Sequence, residues 1–289
     1  MILQTSISEQ IQNIVLMMAR KYAGDTKNLS SISDLKTMYR RYLKETQGRE
    51  ASDSENLVIT DNFEKSSAMA KEFNGEVQST LDDMGQASII IIEESIDSGL
   101  KRKKVENALE ELGLFSSDHY SLLQMIITDI FILPSHGTRG GSSTDGIGLI
   151  WANPKETYPL FDVVEFLVHE LTHHCMFIDE QRYGHYDYDT ILKKENWAES
   201  AILKKPRPVD KVLHSIVVSL EIILFRDSVT GHPVKPKVHP PTQMLINQIK
   251  TAIKSLQHTI AINENKGQIV LQERAKNILT NVENSIVNF

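Results

Sequence analysis

Within residues 161–178, FDVVEFLVHELTHHCMFI, the chain carries His169-Glu170-Leu171-Thr172-His173, the pattern H-E-x-x-H. On a helix, residues four apart lie one turn above each other, so His169 and His173 project from one face and can hold one metal ion between them. Glu170 stands about 100° round from His169, beside the coordination positions that the two histidines leave open. Two imidazoles and a carboxylate inside an apolar helix cost several kcal/mol if unpaired, and a metal ion removes that cost. Two histidines rarely make a working site, so a third donor must come from elsewhere.

The helix follows from its residues without the motif. Val163, Val164, Phe166, Leu167, Val168, Leu171, Cys175, Met176, Phe177 and Ile178 are apolar almost all round, the pattern of a buried helix. Asp162 is the expected N-cap, and Glu165 three residues later completes a capping-box-like start. Cys175 is the one cysteine in the chain, which excludes a disulfide framework and reads as a small buried apolar residue. His174 points away from the His169/His173 stripe and reads as an ordinary helix residue.

A sharp turn after His173 would need a glycine at the eighth motif position and a ligand at the eleventh. Those positions are Met176 and Asp179, so the helix runs on and Asp179 faces elsewhere. Better candidates stand on the apolar helix VLHSIVVSLEIILFRD, where His214 and Glu221 lie about two turns apart on one face. A histidine gives a three-nitrogen site, a glutamate the thermolysin-like set of two histidines and a carboxylate, and the residues leave both open. His119, His136, His232, His239 and His258 show no ligand spacing. His185, in a tyrosine-rich loop, reads as a substrate-contact candidate.

At 289 residues the chain is long enough for one large domain or two small ones. Hydrophobic content of 40% and charged content of 24% describe an ordinary soluble globular protein. A net charge of −7 without a long basic run argues against nucleic-acid binding. The first residues, MILQTSISEQ, lack the pattern of a secretory signal, and no run reaches membrane-spanning length. A cytoplasmic protein without a membrane partner is the expectation, which weighs against a secreted degradative protease.

Apolar spacing predicts helices over 7–22 and 33–46, a polar loop over 47–55, a helix over 61–84, and strand or helix over 87–92. A clearer helix covers 101–114, and its KRKK start at 101–104 reads as a solvated face. Residues 1–120 are therefore expected to form a helical region packed on a core of 121–289. The apolar run 120–133 is closed by Pro134. The glycine- and hydroxyl-rich segment 136–146 lacks the lysine of a nucleotide cradle and suits a loop that rims or covers a site. Residues 147–152 read as an edge strand bordering a cleft, able to pair with an extended peptide, and 153–158 as a turn.

Beyond the motif helix, 179–189 reads as a polar loop, 197–203 as a short element, and Lys205-Pro206-Arg207-Pro208 as a helix breaker. Helices follow over 210–226, 242–262 and 270–287. The expected fold is mainly α-helical α+β: a helical N-terminal layer plus a zincin-like core with a short sheet and the H-E-x-x-H helix.

The block Ser200 to His214, SAILKKPRPVDKVLH, together with LVHELTHHCMF, resembles the H-E-x-x-H proteins associated with ribosomally made peptide clusters. Members of that family are iron(II)- and 2-oxoglutarate-dependent peptide β-hydroxylases. Ser200, Arg207-Pro208, Asp210, Val212 and His214 match its pattern. The resemblance covers about 100 residues, from Gly146 to Arg226 and its surroundings. It implies His169, His173 and His214 as iron ligands and Arg207 as the partner of the 2-oxoglutarate carboxylate. Leu203 and Lys204 stand where a further arginine is expected, which makes Arg226 the second candidate for that clamp.

Two mechanisms compete. A zinc peptidase uses Glu170 as general base on a water activated by the metal. An oxygenase leaves coordination positions for 2-oxoglutarate and oxygen, and Glu170 is then structural. A third class is a non-catalytic protein stabilised by its metal.

Overall fold

The computed structural model describes residues 7–22, 24, 29–48, 51–52, 54, 56–73, 97–135 and 139–289. The element expected over 87–92, the later part of the helix expected over 61–84, and His136 lie outside the described residues. Of the described residues 66% are helical, and a mixed four-stranded sheet with a separate two-stranded one makes the protein mainly α, α+β. The chain forms two compact units, one of Ser6–Ile178 and one built on Asp179–Phe289, so the boundary falls inside the H-E-x-x-H helix. No helix among the described residues is long and apolar enough to cross a membrane.

The first unit opens with α1 (Ile7–Tyr22) and α2 (Ile32–Gln47), which bury Ile14, Met17 and Met18 and Leu35, Tyr39 and Leu43 at helical spacing. The Ser31 side chain caps α2 by accepting from the Asp34 N–H, and Gly48 ends it at φ 68°, a left-handed conformation that suits glycine. There follow β1 (Val58–Thr60), α3 (Phe63–Ala70), α4 (Ser98–Phe115), α5 (Ser117–Ile126), β2 (Asp129–Ile132), β3 (Gly140–Gly141), β4 (Leu149–Ala152) and α6 (Leu160–Tyr183).

The sheet order is β1-β2-β4-β3, with β1, β2 and β4 parallel and β3 antiparallel to β4. Strand β4 is therefore interior, a correction to the edge position expected for 147–152. The edge belongs to β3, whose Gly140 and Gly141 stand opposite Ala152 and Trp151. Side chains alternate across the central strands. Phe131, Leu133, Leu149 and Trp151 join Ala70 and Phe73 in one buried cluster, and the Trp151 indole donates to the Leu133 carbonyl at 2.7 Å.

The KRKK segment is not a free solvated face. Lys101 Nζ donates to the Pro154 carbonyl at 3.0 Å, and Lys104 Nζ donates to the carbonyls of Lys155, Glu156 and Tyr158. An ammonium has three N–H donors, and at Lys104 each has a carbonyl of the turn that feeds α6. That helix starts at Leu160, so Asp162 lies in its first turn, its N–H donating to Pro159 O, and does not cap it. At the other end α6 runs to Tyr183, into the segment expected to be loop.

The second unit takes up the last turn of α6 and continues through α7 (Tyr188–Ile191), β5 (Ala198–Glu199), β6 (Pro206–Arg207), α8 (Val209–Phe225), a π-helical turn (Arg226–Thr230), α9 (Thr242–Glu264) and α10 (Glu273–Ile286). Helix α8 is buried round nearly its whole circumference and packs on α9 and α10. Asp179 is fully buried, accepting from His185 Nε2 at 2.7 Å and from Arg274 Nε and Nη2 at 3.0 and 2.7 Å. His185 is thus an interior cross-link, which removes it from the substrate-contact candidates.

Burial by itself would raise the Asp179 carboxyl, but the hydrogen bonds from His185 and Arg274 outweigh it and hold the pKa below its ordinary value. A depressed folded-state pKa gives stability that is complete above the unfolded value of about 3.9 and lost as pH falls through the folded one. Asp179→Asn is expected to lower stability at neutral pH by more than about 1 kcal/mol and to flatten its decline below about pH 4, read from urea unfolding between pH 3 and 7.

Candidate metal centre

The motif residues sit in the middle of α6, where the apolar sequence buries every side chain from Val163 to Ile178. His169 is 7% exposed, Glu170 3% and His173 1%. His169 Nε2 and His173 Nε2 approach to 3.2 Å. With metal–nitrogen bonds of about 2.0–2.2 Å, that 3.2 Å separation subtends roughly 95–105° at a shared ion, between the octahedral and tetrahedral angles. Two bare nitrogen lone pairs cannot face each other at this distance, so either one ring carries the shared proton or a cation bridges them. The pair fits two donors of a zinc or an iron(II) site.

Neighbouring rings hold this geometry. His173 stacks on Phe177, one turn further along, with centroids 6.0 Å apart and planes 17° from parallel. His174 lies against the other side of the same helix, edge-on to Phe177, and its Nδ1 accepts the Gly148 N–H at 3.3 Å. It is a buried histidine linking α6 to the residue before β4.

Glu170 completes the cluster. Its Oε1 lies 3.9 Å from His169 Nε2, and its Oε2 accepts from the Ser142 hydroxyl at 2.6 Å. A carboxylate flanked in this way can hold or accept a proton beside an ion bound by the two histidines. Sequence reasoning placed the 136–146 segment at the rim of a site but did not single out Ser142. One hydroxyl among several in a glycine-rich loop carries no spacing signal of its own.

The other candidates lie in the second unit. Arg207 stands on β6, whose antiparallel pairing to β5 sets Arg207 opposite Ala198. The turn between the strands is tied to α8 by the Ala201 N–H donating to Ser215 Oγ and is closed by Lys204 at φ 51°. Arg207 is 6% exposed and His214 2%; Asp210, Val212, Ser200 and Glu221 are also buried. Asp210 pairs with Lys211 at 3.3 Å. Arg226 is fully buried, and its Nη1 donates to the Pro240 carbonyl and the Thr242 hydroxyl, which ties down the chain entering α9.

His169, Glu170 and His173 thus lie together in one unit, and Arg207, His214, Glu221 and Arg226 belong to the other. Among the described residues no group of three or more His, Cys, Asp or Glu side chains is gathered so as to hold a metal ion. In comparisons with known proteins, no family model and no curated protein matches the chain.

Gly140 is what allows β3 to lie against α6. Its φ is 143°, and a Cβ there would stand 2.3 Å from the Trp151 carbonyl oxygen and 2.6 Å from the Phe166 ring. Gly140→Ala is expected to cost more than about 2 kcal/mol, measured by chemical denaturation, through both the clash and the strained backbone.

Proposed function

We propose that this protein is a metalloenzyme acting on a peptide, an iron(II)- and 2-oxoglutarate-dependent peptide β-hydroxylase. The observation that carries the metal is the convergence of two buried imidazole nitrogens, 3.2 Å apart, on one face of α6. The choice of reaction is supported by the Ser200, Arg207-Pro208, Asp210, Val212 and His214 block, whose members are all buried except Pro208. A buried arginine is suited to a dicarboxylate cofactor because its planar fork pairs both oxygens of a carboxylate at once.

In this reading His169 and His173 would hold the iron, with His214 as the third ligand that the resemblance implies, and Arg207 would pair with the 2-oxoglutarate carboxylate. When bound, iron with 2-oxoglutarate supplies the oxidising power that hydroxylation of a C–H bond requires. Burial of His169 and His173 keeps bulk water from their ring nitrogens. Glu170 transfers no proton; held by Ser142, it orders the polar groups beside His169.

A second reading, a zinc peptidase, is supported by the Glu170 Oε1 position 3.9 Å from His169 Nε2. There Glu170 takes a proton from the attacking water and returns it to the leaving amine, and Glu221 becomes the alternative third ligand.

Anaerobic addition of iron(II) and then 2-oxoglutarate to the metal-free protein separates the two. The hydroxylase is expected to develop a visible charge-transfer band, weakened by Arg207→Ala, abolished by His214→Ala and retained by Glu170→Gln. Absence of the band, with zinc retained through purification and peptide cleavage lost at least 100-fold in Glu170→Gln, would replace the first reading by the second.

A further inference from the structure

The glycine-rich segment matches the pitch of the motif helix. Phe166 and Glu170 are one turn apart on α6, about 5–6 Å along the helix axis. Gly140 and Ser142 are two residues apart in an extended chain, about 6.5 Å. The strand therefore lays Gly140 over Phe166 and Ser142 over Glu170, as the Gly140 to Phe166 approach and the 2.6 Å Ser142 to Glu170 hydrogen bond show. Gly-x-Ser in β3 and the residue after it meets Phe-x-x-x-Glu in α6.

Ser142 is fixed from both sides. Before it, Gly140 and Gly141 are paired to Ala152 and Trp151. After it, Ser143 is fully buried and caps a short 3₁₀ turn, its hydroxyl accepting from the Asp145 N–H. Ser142 itself is 3% exposed. An O–H···O contact of 2.6 Å between such buried groups is in the range of a charge-assisted hydrogen bond to a carboxylate. A carboxylate with one oxygen held in this way has little freedom about its last torsion, and its second oxygen points where the first leaves it. In this structure that is towards His169 Nε2.

We infer that Ser142 is a positioning residue for Glu170: its hydroxyl takes Oε2 and thereby presents Oε1 alone to the face on which His169 and His173 converge. This rests on the reading of that face as the metal site, and it holds whether the reaction is hydroxylation or hydrolysis. It also defines which substitutions at residue 142 are tolerated. Threonine keeps the hydroxyl on the same Cβ, whereas alanine leaves Glu170 a buried oxygen without its donor.

The test uses the full chain loaded with cobalt(II), whose visible ligand-field bands respond to the hydrogen bonding of groups around the ion. Wild type, Ser142→Ala, Ser142→Thr, Glu170→Gln and the Ser142→Ala/Glu170→Gln double variant are compared, with cobalt content and circular dichroism recorded for each. The expected result is full cobalt content throughout and bands displaced in Ser142→Ala. The displacement should be in the direction seen in Glu170→Gln, with no further change in the double variant and wild-type bands in Ser142→Thr. Displaced bands in Glu170→Gln beside an unchanged spectrum in a folded, loaded Ser142→Ala would overturn the positioning role and leave the metal site standing. Failure of folded wild type to take up cobalt would overturn the metal site, and the inference with it.

Discussion

Burial of ionisable groups in α6 is the constraint from which the first unit's architecture follows. An apolar helix that carries His169, Glu170, His173 and His174 at its centre must give each polar group a partner, because each costs kcal/mol without one. The protein meets this with backbone and hydroxyl groups from the strand side. Gly148 N–H serves His174, Ser142 serves Glu170, and the two remaining imidazoles face one another at 3.2 Å. That last arrangement is the one that a cation would complete in the proposed reading.

Two devices outside the motif place α6 where these partnerships can form. The β3 edge has glycine at 140 because its backbone there passes too close to Trp151 and Phe166 for a side chain. Lys101 and Lys104 of α4 bind the carbonyls of Pro154, Lys155, Glu156 and Tyr158, which fixes where the chain turns into the helix. Both devices act on the backbone, one by removing atoms and the other by supplying donors. Neither contributes to the apolar core.

The second unit supports its own candidates by a different route. Arg207 ends a tight hairpin and is separated from His214 by Pro208 and the first turn of α8, and the hairpin is anchored to α8 by Ser215 and to α9 by Ser255. The proline-rich spelling of the block, which reads as a helix breaker, becomes β6 and the N-terminus of α8. Asp179, His185 and Arg274 then join the end of α6 to the loop after it and to the start of α10 within the same unit.

By itself the sequence determined what is local. The apolar periods of α1, α2, α8 and α9 are written in residues three and four apart, and their observed bounds lie within a few residues of those the spacing predicts. The convergence of His169 and His173 is likewise a consequence of helical pitch. Other features depend on atoms distant in the chain, and tertiary structure alone decided them. That β4 is interior follows from pairing with two glycines that have no hydrophobic signal. That Lys101 and Lys104 of KRKK are bonded rather than solvated follows from carbonyls some fifty positions away. His185 reads as a substrate-contact candidate in a tyrosine-rich loop, yet it is buried against the carboxylate of Asp179, which Arg274 also holds. Ser142 becomes the partner of Glu170 only once a strand's rise is laid against a helix's turn, a match of two periods that neither segment reveals alone.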